Sequence, residues 1–200
     1  MNLKFLFVII IGLSIGALSA LLLFGGKEGW FKSDQISGKA LVGGPFKLIN
    51  HLGEPVTEKN FYGKYTLVFF GYTYCPDVCP SELQVMSAAL DRLKSKAENI
   101  VPIFITIDPE RDTAKQMADY VSHFHSKFVG LTGSPEAIQA AARAYRVYYS
   151  KSKDSESNSD YLMDHSSIVY LMDRKGEYKT HFSFGTPPEK MAEKISSIIK

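Results

Sequence analysis

The hydrophobic pattern opens on one long uncharged run, Phe5 to Phe24, which covers 20 positions. At about 1.5 Å per helical residue, this run matches a hydrocarbon core about 30 Å thick. The apolar part of a cleavable signal peptide is shorter, about 7–15 residues. We therefore predict an uncleaved transmembrane helix at 5–24, after a short tail at 1–4. Cleavage that leaves a mature chain starting near Ala20 stays open as the alternative.

The segment after this run is polar and is followed by a folded domain. Residues 25–44 carry Gly, Ser and Lys with few apolar side chains, which predicts a tether between the membrane and the domain. Residues 45–200 are enough for one domain with a substantial core.

Apolar runs of strand length recur through this domain. Tyr65–Gly71 and Val101–Ile107 are continuous apolar segments, which is typical of central strands covered on both faces. Ile168–Met172 and Tyr178–Phe182 flank a turn with a glycine, and this arrangement predicts a hairpin. Shorter strands are expected at Pro45–Asn50 and Phe128–Leu131.

Segments with helical periodicity lie between and after these strands. Leu83, Met86, Leu90 and Leu93 repeat at spacings of three and four, which predicts a helix. Serine followed by proline at 134 and 135 is typical of a helix start. Further helices are predicted over about 113–125, 135–145 and 188–199, and the polar stretch 150–160 predicts a mobile loop. Alternating strands and helices with a final hairpin indicate an α/β fold with a mixed sheet flanked by helices.

Composition narrows the possible functions. The net charge is +2 and no basic cluster is present, so a nucleic-acid partner is not expected. The chain has two cysteines, too few for a disulfide scaffold, so they indicate a site.

Cys75 and Cys79 lie where a buried strand gives way to a helix. A spacing of four residues at a helix start would put both sulfurs on one face, with Cβ atoms roughly 5–6 Å apart. Such a pair can hold one metal ion or close a disulfide. The helix N-terminus favours the thiolate, the form that binds metal. Two unrelated buried cysteines are the alternative.

Two thiolates seldom complete a metal shell, so a further donor is expected. His165, which lies between the predicted loop and a strand, is one candidate, and a residue without a metal-binding role is the alternative. The other four histidines have ordinary structural explanations as surface, turn or strand residues: His51, His123, His125 and His181.

Three segments resemble the Sco/SenC family of membrane-anchored, thioredoxin-like copper proteins: GYTYCPDVCPSEL at 71–83, ITIDPERDT at 105–113 and YLMDHSSIVYLMDRKG at 161–176. The resemblance implies copper binding, one ion per chain, by Cys75, Cys79 and His165. It also implies a role in assembling the binuclear copper centre of cytochrome c oxidase. The acids of the second segment, Asp108 to Asp112, need only cap a helix.

The resemblance leaves three functional classes. The first is a copper metallochaperone whose affinity depends on whether Cys75 and Cys79 are thiols or a disulfide. The second is a thiol-disulfide oxidoreductase that reduces cysteines of the oxidase copper subunit, and the third is a copper or redox sensor. We expect a metallochaperone rather than an enzyme. The expected partners are the copper-bearing oxidase subunit and other copper carriers or thiol reductants.

The expected location is the inner membrane of a bacterium, with a single span and the domain in the periplasm. The lysines do not decide this orientation, because Lys4 precedes the span and Lys27, Lys32 and Lys39 follow it. The short leader lacks an Arg- and Ser-rich transit segment. The mitochondrial inner membrane is the alternative.

Overall fold

The computed structural model describes residues 42–152 and 161–199. These residues belong to one unit, Ala40–Lys200. The predicted tail, the transmembrane helix at 5–24, and most of the tether lie outside the described residues, as do positions 153–160 of the predicted loop. Within the part of the chain that is described, no helix is both long and apolar enough to cross a membrane.

The described residues form nine strands: β1 (Lys47–Asn50), β2 (Pro55–Thr57), β3 (Tyr65–Gly71), β4 (Ile100–Thr106), β5 (Val129–Thr132), β6 (Tyr149–Ser152), β7 (Leu162–His165), β8 (Ile168–Met172) and β9 (Tyr178–Ser183). Seven of them form a mixed sheet at the centre of the domain, in the order β2-β1-β5-β4-β3-β8-β9. Strands β3, β4 and β5 are parallel to one another, and the other pairings are antiparallel. Strands β6 and β7 form a separate two-stranded ribbon.

Four α-helices flank the sheet: α1 (Val78–Leu93), α2 (Ala114–Ser122), α3 (Pro135–Ala144) and α4 (Pro188–Ile198). Helix α1 packs on α4, while α2 packs on β5 and α3 on β1. The side chain of Ser134 caps α3 by accepting a hydrogen bond from the N–H of Ala137, and Pro135 is the first helical residue. Every residue of β3 is buried, so the sheet is covered on both faces at its centre.

The sequence predicts most of these elements correctly. β3 has the predicted bounds, and β4 is shifted by one residue. Pro102 is the third residue of β4, where β4 pairs with β3 but not yet with β5, whose pairing begins at Ile103. A proline without an N–H is therefore tolerated there.

The prediction of a mobile loop over 150–160 is wrong for its first residues. Positions 150–152 belong to β6, where they pair with residues 162–164 of β7. The polar residues at 150–152 do not have the pattern of a strand. This strand is stabilised by backbone hydrogen bonds to β7, which cannot be predicted from composition. The sequence pattern does not predict strand β2 either.

Candidate metal centre

The cysteine segment follows the carboxyl end of β3, the edge where open α/β sheets place their ligands. Cys79 lies in the first turn of α1 and is completely buried. Cys75 is half-buried and precedes the helix, which begins at Val78. The expectation that both cysteines lie on one helical face is therefore wrong. The two residues meet all the same, because the N–H of Cys79 donates to Sγ of Cys75 at 3.3 Å.

Gly71, the last residue of β3, makes room for Cys79. A Cβ atom at this position would lie 2.7 Å from Sγ of Cys79 and 2.8 Å from Cε2 of Phe104. Both distances are shorter than real contacts of a Cβ atom. The absence of a side chain at position 71 is therefore a condition for the observed place of the buried sulfur.

Changing Gly71→Ala should lower the free energy of unfolding by about 1–3 kcal/mol, because the added methyl overpacks a filled core. It should also weaken metal binding, since Cys79 must move. Urea unfolding and a metal titration measure the two effects. The control is Gly44→Ala, where the added Cβ would meet one methyl group at 3.3 Å. Equal stability of the Gly71 and Gly44 variants would contradict the prediction.

His165 reaches the cysteines from the end of the β6–β7 ribbon. Its Nε2 lies 3.6 Å from Sγ of Cys79. Its Nδ1 lies 3.2 Å from the carbonyl oxygen of Ser166. Because a carbonyl only accepts, we assign the proton to Nδ1, and this leaves the lone pair of Nε2 facing the sulfur. Fixing the tautomer through the second nitrogen is the usual arrangement for a ligating histidine.

The separation of Cys79 and His165 suits two ligands of one ion. Bonds of about 2.3 Å to sulfur and 2.0–2.1 Å to nitrogen, the values for zinc, place these atoms about 3.6–3.8 Å apart at angles of about 110–120°. Within residues 42–152 and 161–199, however, no group of three or more His, Cys, Asp or Glu side chains is already arranged to hold an ion.

The cysteine pair shares one proton unequally. A hydrogen bond from the Cys79 thiol lowers the pKa of Cys75 well below its usual range, although partial burial of Cys75 opposes this shift. The same hydrogen bond, together with burial, raises the pKa of Cys79. Cys75 is therefore the thiolate near neutral pH, and Cys79 must lose its proton when a metal binds.

Two aromatic rings pack against the imidazole of His165. Phe69 and Tyr72 meet the ring of His165 edge-on, with centroids 6.0 Å and 6.2 Å away. Tyr72 is buried, and burial is the main reason that its pKa is raised to about 12. Tyr72 therefore packs against the site as a neutral phenol. Tyr74, beside Cys75, is exposed.

The remaining histidines are engaged away from the cysteines or are exposed. Nδ1 of His51 accepts from the N–H of Gly130, and Nδ1 of His125 accepts from the N–H of Lys127. His181 stacks on Tyr178, and His123 is exposed.

The acids between β4 and α2 do more than cap a helix. The cap of α2 is Thr113, which accepts from the N–H of Gln116. Asp112 is buried instead and accepts from the N–H and hydroxyl of Thr73 at 3.0 Å and 2.6 Å, and from the hydroxyl of Thr106 at 2.6 Å. It fixes the loop that leads to Cys75. The sequence carries one signal for this contact. Parallel strands bring their carboxyl ends to one edge of the sheet, so the residues after β4 are expected beside those after β3.

Comparison with known proteins agrees with this architecture. A sequence model of the SCO1/SenC family matches residues 34–200. The chain belongs to the SCO1/SenC family. The protein named SCO1 homolog 1, mitochondrial, of Arabidopsis thaliana is 54% identical over 142 residues, which are 70% of this chain and 42% of that protein. The human protein named SCO1 homolog, mitochondrial, is 44% identical over 162 residues, which are 80% of this chain and 54% of that protein. The chain thus spans about half the length of these relatives.

Solved SCO1/SenC structures share the fold. Arabidopsis thaliana ScoI, solved with copper bound, matches with a TM-score of 0.74 and 46% identity over 78% of this chain and 96% of that one. The predicted mixed α/β sheet with flanking helices, thioredoxin-like in type, is confirmed by this likeness.

Proposed function

We propose that this SCO1/SenC protein is a copper metallochaperone that binds one Cu(I) ion through Cys75, Cys79 and His165. The observation that carries the proposal is the approach of Nε2 of His165 to Sγ of Cys79 at 3.6 Å, with Nδ1 tied to a carbonyl. Histidine has no required part in simple thiol exchange, but it is a common metal ligand. The copper-bound relatives support copper as the ion.

The donor set suits reversible binding of a soft ion. Thiolates favour Cu(I) or zinc, and imidazole also suits copper. Because Cys75 is half-buried, another protein can reach the ion on this side. Cys79 and His165 bind the ion from the side of the protein interior. Oxidation of both thiols to a disulfide passes two electrons and two protons to an oxidant such as a disulfide of another protein. It also removes two of the three ligands, so copper affinity depends on redox state.

The setting of this activity is cytochrome c oxidase assembly at a membrane. Copper would pass to the copper-bearing oxidase subunit, and other copper carriers or thiol reductants would load or reduce this chain. We place the protein in a bacterial inner membrane, with a single span at 5–24 and the domain in the periplasm. The mitochondrial inner membrane remains the alternative location.

The geometry also favours a second candidate function, thiol-disulfide exchange. A half-buried thiolate at Cys75 beside a buried thiol at Cys79 is the asymmetry that a disulfide reductase uses, with the exposed sulfur attacking and the buried one resolving. The reductase would act on cysteines of the oxidase copper subunit.

Complementation by a His165→Ala variant separates the two functions. If copper delivery is the main task, cells with only this variant should assemble copper-deficient oxidase, because the thiols still cycle but copper is held by two ligands. Added copper should partly restore the oxidase. His123→Ala is the control and should complement fully. Full complementation by His165→Ala, at protein levels equal to wild type, would overturn the chaperone proposal and favour the reductase.

A further inference from the structure

The ribbon that carries His165 is not part of the main sheet. Its strands β6 and β7 pair with each other and not with the seven-stranded sheet. β7 is joined to β8 of the main sheet by the short link of Ser166 and Ser167. The place of His165 relative to Cys79 depends on this link and on side-chain contacts between the ribbon and the rest of the domain.

Several of these contacts run to the segment that follows β4. The hydroxyl of Tyr161, the residue before β7, donates to Oδ1 of Asp108 at 2.7 Å. Nζ of Lys151, on β6, lies 2.7 Å from Oε2 of Glu110. Asp108 is buried, whereas Lys151 and Glu110 are exposed. The contact through Tyr161 is therefore the stronger of the two, since exposed ion pairs contribute little.

Arg111 is the residue that joins the ribbon to the cysteine loop. Its guanidinium carbon lies 3.8 Å from the ring centroid of Tyr161 on the ribbon side. On the loop side it lies 4.8 Å from the ring of Tyr74 and 5.8 Å from that of Tyr72. All three distances are within the range of a cation–π contact. Nε of Arg111 also pairs with the buried carboxylate of Asp108.

The side chain of Arg111 is mostly buried in this position. It is 18% exposed, and its Nη2 is buried with no hydrogen-bond partner in the described residues. A planar guanidinium can lie on aromatic faces while its edge pairs with a carboxylate, and a lysine ammonium cannot do both. Tyr74 immediately precedes Cys75, and Tyr72 meets the ring of His165.

We propose that Arg111 is a positioning residue that holds the His165 ribbon against the cysteine loop and so sets the approach of His165 to Cys79. It touches neither the cysteines nor His165 in the described contacts, and it acts through Tyr161, Tyr72 and Tyr74. The consequence for copper rests on the proposed function. The placement of His165 does not, and it can be measured without metal.

The first measurement uses the reduced, metal-free full chain in detergent micelles, in which the described fold lies within Ala40–Lys200. In wild type, NMR should show cross-relaxation between ring protons of His165 and Tyr72. Arg111→Met should weaken these signals while the amide spectrum of the central strands is kept. Arg92→Met is the matched control, since it removes an ion-paired arginine near the far end of α1. Unchanged His165–Tyr72 signals in folded Arg111→Met would overturn the proposal.

The second measurement is a double-mutant cycle with Cu(I). Arg111→Met should weaken copper binding about tenfold, within the range for residues that share one network of contacts. The same change in a His165→Ala background should add little, because the ligand that Arg111 positions is already gone. Equal losses in both backgrounds would overturn a role through His165. X-ray absorption of the copper-loaded Arg111→Met variant should show less nitrogen ligation than wild type.

Two further variants cover the case in which Arg111→Met does not fold. Arg111→Lys keeps the charge but loses the planar stacking, and Tyr161→Leu removes the ring while leaving the pair of Arg111 and Asp108. Both should reproduce the loss of the His165–Tyr72 signals, and wild-type signals in both would overturn the proposal. If wild type itself binds no copper, the proposed function fails, and the metal-free NMR measurement alone decides the role of Arg111.

Discussion

Serine in place of Cys75 or Cys79 should lower the affinity of the reduced domain for Cu(I) by about 100- to 1,000-fold. The size follows from zinc sites, where about 10–16 kcal/mol is shared among four ligands, or about 2.5–4 kcal/mol for each. Each 1.4 kcal/mol corresponds to about a tenfold change in affinity. A three-ligand shell cannot replace a lost thiolate, and His165→Ala should therefore also weaken binding strongly.

An anaerobic competition titration against a chelator of known Cu(I) affinity measures these losses. Wild type should bind one ion per chain, and the controls His123→Ala and His125→Ala should match it, because neither histidine contacts the cysteines in the described structure. Tight, stoichiometric copper retention by His165→Ala would remove that residue from the site. Retention by either serine variant would place the ion elsewhere.

The fold could be predicted where hydrophobic burial decides it. β3 is covered on both faces, so its seven residues form a continuous apolar run with bounds visible in the sequence. The β6–β7 ribbon shows the opposite case. Positions 150–152 are polar, and their extended conformation depends on pairing with β7, a contact that no local pattern reveals.

The residues of the site also fall into two groups, those that the sequence predicts and those whose roles depend on the tertiary structure. The cysteine pair and His165 could be proposed from ligand chemistry and family resemblance, because these residue types carry the function themselves. Asp112 and Arg111 act by contact, through Thr73 and through three tyrosines. The parallel pairing of β3 and β4 predicts only that the residues after the two strands are neighbours, and the partners of each side chain appear only in the tertiary structure. Gly71 is needed because a helix residue eight positions later places its sulfur there, and this too requires the tertiary structure.

Glu82, in the second turn of α1, is a buried residue that makes the stability of the folded state depend on pH. Its side chain is 1% exposed, and neither oxygen has a hydrogen-bond partner within the described residues. Burial raises the pKa of Glu82 to about 7, and the nearby Gly185 N–H offsets part of that rise without reaching normal hydrogen-bond geometry. Between about pH 4.5 and 7 the folded state therefore holds a proton that the unfolded state has lost. Stability must fall as pH rises through this window.

Changing Glu82→Gln should remove this loss. At 1.36 kcal/mol for each tenfold change in proton affinity, the ionised carboxylate costs about 3 kcal/mol above pH 7. The amide stays neutral, so the variant should be more stable than wild type by about 1–3 kcal/mol at pH 8 and no more stable at pH 5. Denaturant unfolding of the reduced, metal-free domain at both pH values measures the difference.

Glu193→Gln, at an exposed position of α4, is the control and should change stability by less than about 0.5 kcal/mol at either pH. Parallel pH profiles for wild type and Glu82→Gln would mean that the carboxyl at position 82 does not titrate in this window.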